Sequence, residues 1–126
     1  MKTIKRIFYS NIKILQKSYP NILEWFLQAL NNPKFQFIVN KNQNCLIIYN
    51  TNKNKISNIS ILPSQNKSET IREHLNNFFL THNNTTITVD SSNTKMLLFL
   101  RRYRFEPYKT KQYNNKTEIY LIYRRK

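Results

Sequence analysis

The stretch Ile56–Leu80, ISNISILPSQNKSETIREHLNNFFL, decides how the rest of the chain is read. Ile56, Ile59 and Ile61 mark a strand over 56–62, and Pro63 closes it. From about Glu69 onward, Ile71, Leu75, Phe78 and Phe79 recur at helical spacing. A strand, a loop and a helix in this order can hold a pyrophosphate, because backbone N–H groups and the helix N-terminus point at the anion. The polar contacts on offer are Ser64, Gln65, Asn66, Lys67, Ser68 and Thr70, with the acid Glu69 among them. Close backbone approach to a phosphate usually needs a residue without a side chain. This loop has no glycine, and neither has the rest of the chain. The architecture of an anion site is present while its usual chemistry is missing.

Working outward, the chain reads as one mixed domain over 1–126. Lys2–Phe8 alternates enough for an opening strand. Ser10 is placed to cap a helix reaching about Ser18, and Pro20 interrupts it. Asn21 then caps a helix with Ile22, Trp25, Phe26, Ala29 and Leu30 on one face. Phe35–Val39 and Cys45–Tyr49 form a hairpin across the polar turn Asn40–Asn44, and Asn50–Lys55 turns into strand 56–62. Thr85–Val89 is the next strand. Ser92 or Asn93 caps a helix facing inward through Met96, Leu97, Leu100 and Tyr103. Phe105–Tyr113 and Thr117–Tyr123 make a closing hairpin about Asn114-Asn115. The fold class is α/β (α+β), with a mostly antiparallel sheet flanked by helices.

With 126 residues, 40% of them apolar, the chain can bury one core, and no apolar run approaches the ~18 residues of a membrane span. Twenty-one basic against 6 acidic residues give +15, which calls for a polyanionic partner or a strongly self-repelled monomer. Abundant Asn, Lys, Ile, Tyr and Phe, one alanine (Ala29) and no glycine point to an AT-rich genome. Organellar, viral, plasmid and parasitic bacterial genomes all qualify. Residues 1–23 lack acids and carry Lys2, Lys5, Arg6, Lys13 and Lys17, a composition resembling a mitochondrial transit peptide. An organelle-encoded protein, or an ordinary first strand and helix, would each account for it.

From about Phe35 onward the element order resembles the GCN5-related N-acetyltransferase superfamily. Ile59–Phe79 is similar to its fourth strand, acetyl-CoA loop and following helix, with Pro63 just before the loop and Ile71, Leu75 and Phe79 at core positions. Thr86–Tyr108, TITVDSSNTKMLLFLRRYRFEPY, resembles its fifth strand, asparagine-capped helix and next strand, carried by Asn93 and Phe105. The family binds acetyl-CoA; if that binding is retained, the resemblance implies Ser64, Gln65, Asn66, Lys67, Ser68 and Thr70 as the residues that would hold it, and otherwise no cofactor is expected. The family's two small loop positions are Thr70 and Arg72 here, where side chains would crowd a pyrophosphate. The helix tyrosine that often protonates the leaving thiolate is Leu100, and the glycine before the last phenylalanine is Arg104.

No residue is assigned a catalytic role. Cys45 reads as a buried, inert thiol, and a lone cysteine builds no disulfide framework. His74 and His82 have no second ligand at metal spacing and read as surface or satisfied histidines, so no metal is expected. Tyr103 reads as a core-edge aromatic. Arg101, Arg102, Arg104, Lys109, Lys111, Lys116, Arg124, Arg125 and Lys126, interleaved with tyrosines, are the expected nucleic-acid contacts. The expectation is a non-catalytic, basic, RNA-contacting or structural subunit of a ribonucleoprotein assembly such as an organellar ribosome, partnered by RNA, protein subunits or both. The alternative is a divergent acetyl-CoA-dependent N-acetyltransferase. A weaker third reading is a viral or plasmid protein that binds a host factor through its basic face.

Overall fold

The computed structural model describes residues 1–125; Lys126 lies outside the described residues. Three short helices come first, α1 (Lys2–Tyr9), α2 (Ile12–Ser18) and α3 (Ile22–Ala29). Strands β1 (Phe35–Val39), β2 (Cys45–Asn50) and β3 (Lys55–Ile61) follow, then α4 (Lys67–Phe78). The chain closes with β4 (Thr85–Asp90), α5 (Thr94–Arg102), β5 (Phe105–Tyr113) and β6 (Lys116–Tyr123). One six-stranded sheet runs β1-β2-β3-β4-β6-β5, antiparallel everywhere except β3–β4.

The opening strand expected at Lys2–Phe8 is a helix. Ile4, Ile7 and Phe8 stand at i, i+3 and i+4, which is the helical period. Ile7 and Phe8 are fully buried, and the Phe8 ring stacks on Phe26 at 3.9 Å between centroids. Ser10 does not cap α2. It sits at the C-cap of α1, where its hydroxyl donates to Ile7 O at 2.7 Å, and Asn11 takes the N-cap place. Asn21 precedes α3 as expected but makes no side-chain capping bond.

Two cores sandwich the sheet. Leu46 and Ile48 face α1 and α3, with Ile7, Phe8 and Phe26. Cys45, Ile47 and Tyr49 face α4 and α5, with Ile71, Leu75, Phe78, Leu100, Phe105 and Leu121. This is why β2 is an unbroken apolar run: both of its faces are covered. Asn93 caps α5, accepting from Met96 N at 3.3 Å, while Ser92 turns to Asp90.

A chain without glycine still needs left-handed turns. They fall on Gln43, Asn54, Asn84 and Asn114 (φ 46–55°) and on Arg104 (φ 85°). Asparagine tolerates that region through local hydrogen bonds. Arg104 holds the position after the C-cap of α5, where glycine is ordinarily preferred.

Candidate functional site

The β3–β4 pair pairs at only two places, Lys55↔Thr86 and Ile56↔Ile87. One position later β3 bulges: neighbouring Tyr49 and Ile48 face Ile56 and Asn58, leaving Ser57 without a partner. A bulge bends its strand and ends regular pairing, a device common beside functional sites. Past it β3 and β4 diverge. A cleft of about 310 Å³ fills the gap, lined by Asn58 and Ile59 on β3, Thr88 and Val89 on β4, and Leu15 and Ser18 on α2. It lies between α2 and the N-terminal end of α5, whose Asn93 and Met96 also line it.

The loop after β3 is exposed from Pro63 to Glu69. Helix α4 starts at Lys67, two residues earlier than the sequence suggests, so Lys67, Ser68 and Glu69 form its first turn. Thr70 N already donates to Asn66 O at 3.0 Å, and Asn66 N donates to Ser64 Oγ at 3.1 Å. The backbone donors left for an anion are therefore those of 67–69, the first turn of α4. A carboxylate, Glu69, stands among them. Arg72 is exposed, and its charge reaches Tyr103. Ser64, Gln65 and Asn66 in the loop and Lys67 and Ser68 in the first turn of α4 form one exposed stretch, with Thr70 half-buried beyond it. Tested against the diphosphate of acetyl-CoA, this donor set fits poorly: no position lacks a Cβ, and Glu69 opposes the incoming charge.

At the position where the resemblance puts a general acid, the chain has a leucine. Leu100 is fully buried in the core. Tyr103, one turn on, donates to Asn76 Oδ1 at 2.6 Å, and burial pushes its phenol up to about 12. Two acidic residues stand opposite each other in the strand register, Asp90 of β4 and Glu118 of β6. Ser92 donates to Asp90 through its backbone N–H and its hydroxyl, each at 3.0 Å, and these bonds hold the carboxyl below its usual range. Tyr19 at the end of α2 donates to Glu118 Oε2 at 2.8 Å, and burial followed by this bond pushes the phenol well up. Lys116 Nζ donates to Ser18 O at 2.9 Å and lies 3.8 Å from the Tyr19 ring centroid. This cluster ties α2 to the sheet. The sequence gives no local sign of it, because residues 19 and 118 are about a hundred positions apart.

The expected cations divide between two faces. Arg101, Arg102 and Arg104 are exposed on α5 and its exit. Lys109 and Lys111 lie across the sheet from them, beside Tyr120 and Tyr113, with the ammonium of Lys109 5.1 Å from the Tyr120 ring centroid. Arg124 is exposed. Arg125 is engaged, donating to the carbonyls of Phe79 and His82, and its backbone N–H reaches Asn83 Oδ1 at 2.7 Å. His74 is buried with Nε2 2.9 Å from Ile38 O, and His82 lies against Phe78. Among the described residues no group of His, Cys, Asp and Glu is placed to hold a metal, and no helix is long and apolar enough to cross a membrane.

This strand order, with α4 crossing between the one parallel pair, can be compared with solved structures. A chimera of the spermidine N-acetyltransferase SpeG of Vibrio cholerae with hSSAT matches at TM-score 0.55 and 11% identity, over 82% of this chain and 75% of that one. A second such chimera matches at 0.54 and 14%, over 91% of this chain and 88% of that one. A single-residue variant of the same Vibrio cholerae enzyme gives 0.53 and 14%, over 82% and 73%. The fold is that of the GCN5-related N-acetyltransferases. No family model matches the sequence, and no curated protein does. At these identities the likeness is one of fold. Within the acetyltransferase fold, β3, the loop after it and α4 stand where the sequence resemblance puts the fourth strand, acetyl-CoA loop and following helix. Leu100, where the sequence resemblance puts the family's tyrosine, lies in α5, and Arg104, where it puts the glycine, follows the C-cap of that helix.

Proposed function

We propose that this chain is a non-catalytic protein of acetyltransferase-like fold that contacts RNA as a subunit of a ribonucleoprotein assembly, such as an organellar ribosome. The observation that carries this reading is the +15 charge, displayed as exposed arginines on α5 and exposed lysines on the opposite side of the β5–β6 hairpin. Phosphate contacts from such groups dominate affinity for nucleic acid. Two supporting features are the buried Leu100 and the glycine-free, acid-bearing loop, which remove the chemistry of the fold while leaving its scaffold. An AT-rich organellar genome would supply the composition. The test is retention on heparin and binding to single-stranded RNA across a salt series, with acetyl-CoA titrated by calorimetry. The expected results are RNA affinity that falls steeply with salt and no heat from acetyl-CoA. Saturable micromolar acetyl-CoA binding would overturn the non-catalytic part.

One observation favours a second reading, a divergent acetyl-CoA-dependent N-acetyltransferase. β3 and β4 pair only at Lys55 and Ile56, and beyond the bulge at Ser57 a cleft lies between the two strands. The solved structures of similar fold are named as spermidine N-acetyltransferases. Transfer of labelled acetyl groups to any amine or peptide decides for this reading; a clean negative over a broad panel decides against it. A polyamine acceptor is disfavoured, because the wider cleft on the α3 side is lined by Lys34, Lys53, Lys55 and Lys116 against one carboxylate, Glu118.

A further inference from the structure

Between α3 and the sheet lies a cleft of about 570 Å³, a size that suits a small organic ligand. Its wall is aromatic: Trp25 meets Phe35 edge-on at 5.5 Å between centroids. Its rim is cationic, with Lys34, Lys53 and Lys55, and the ammonium of Lys34 lies 5.4 Å from the Phe35 ring. The one lining carboxylate, Glu118, accepts from Tyr19 and offsets only part of the charge of the four lysines that line the cleft, Lys34, Lys53, Lys55 and Lys116. Lys55 is half-buried; burial and then the neighbouring Lys53 push its ammonium down, and an anion would relieve both. Thr88, which lines this cleft and also the one between β3 and β4, has a buried hydroxyl with no hydrogen-bond partner among the described residues. Buried polar atoms ordinarily find a partner, and an orphan beside a cleft points to a ligand or a water.

We infer that this cleft takes one unstacked nucleotide of an RNA strand, its base against Trp25 and Phe35 and its phosphate among Lys34, Lys53 and Lys55. Aromatic rings accept any base by stacking, while lysines track the backbone. The inference rests on the RNA-contacting reading and gives it a place on the α3 side of the sheet. A polyamine has aliphatic stems for the wall but brings the wrong charge to the rim.

Trp25 is the single tryptophan of the chain, so its fluorescence reports on this cleft alone. The full chain is titrated with an oligouridylate of about eight nucleotides, within the range of stacking grooves, with AMP, and with spermidine at matched ionic strength. Saturable quenching by the oligonucleotide and AMP, and none by spermidine, is the expected result. Lys53→Glu and Lys55→Gln together weaken the oligonucleotide response by about tenfold, as loss of two phosphate contacts would, with an unchanged far-ultraviolet dichroism spectrum. Lys53→Glu alone, at an exposed site, gives a smaller loss in the same direction. RNA binding in a filter assay with Trp25 silent and both variants indifferent overturns the cleft and leaves the RNA-contacting reading standing. Quenching by AMP without RNA binding keeps a nucleotide cleft and removes the reading beneath it. Saturable quenching by spermidine overturns the assignment.

Discussion

At the scale of single residues, the missing glycine has its clearest consequence at Arg104. A side chain at φ 85° crowds its own carbonyl, at about 1 kcal/mol relative to glycine. Arg104→Gly is therefore expected to raise stability by about 1 kcal/mol in urea unfolding, even though it removes a surface cation; a loss would show that the arginine makes a compensating contact. Cys45 is fully buried, and its surroundings push the thiol up to about 12. Because the thiolate is the reactive form, a thiol reagent at pH 8 should label the folded chain far more slowly than the chain in denaturant. Labelling at equal rates would contradict the burial. The inertness of Cys45 is legible in the sequence from its apolar neighbours. The strain at Arg104 is not, because a backbone angle depends on where α5 must hand the chain to β5.

At the scale of elements, two contacts anchor α4. His74 bonds the carbonyl of Ile38 on β1, while burial lowers its pKa more than that bond raises it. A histidine whose folded pKa is depressed contributes stability that is present above its unfolded value of about 6.5 and is lost as pH falls below it. Stability should thus decline between about pH 7 and 5, and His74→Gln should flatten that part of the profile in thermal melts. An unchanged slope would mean that His74 titrates as an exposed group. Arg125 fastens the other end of α4 through the carbonyls of Phe79 and His82. Arg125→Ala is expected to cost about 1 kcal/mol of stability and to leave RNA affinity within twofold, whereas charge reversal at Arg101 and Arg102 should weaken RNA binding without a change in melting. The reverse pattern would make Arg125 a phosphate contact. Sequence reading placed both groups of arginines on the surface. It could not separate them, because the carbonyls that hold Arg125 lie more than forty residues away.

For the whole molecule, +15 over 126 residues implies self-repulsion. Salt shortens the screening length from about 30 Å at 0.01 M to about 8 Å at 0.15 M, so the melting temperature should rise over that range in the absence of nucleic acid. A fall would indicate that ion pairs outweigh repulsion. The same charges explain why the two clefts differ in character. The divergence of β3 and β4 leaves a wedge in which one lysine, Lys17, faces one carboxylate, Asp90, whereas the α3 side gathers four lysines from β3, β6 and two turns against Glu118 alone.

The sequence by itself determined the strand–loop–helix core over 56–80, the closing hairpin, a cap for α5 at Ser92 or Asn93 and the cationic exterior. Each of these depends on periodicity, capping or composition within a short window. Only the tertiary structure decided that residues 2–9 are helical, since their apolar spacing acquires meaning against Phe26. It also decided that β3 bulges at Ser57 and that Tyr19, Thr88, Lys55 and Glu118 share a cleft. Those outcomes depend on register between distant strands and on which charges the sheet leaves without partners, and neither is encoded in neighbouring residues.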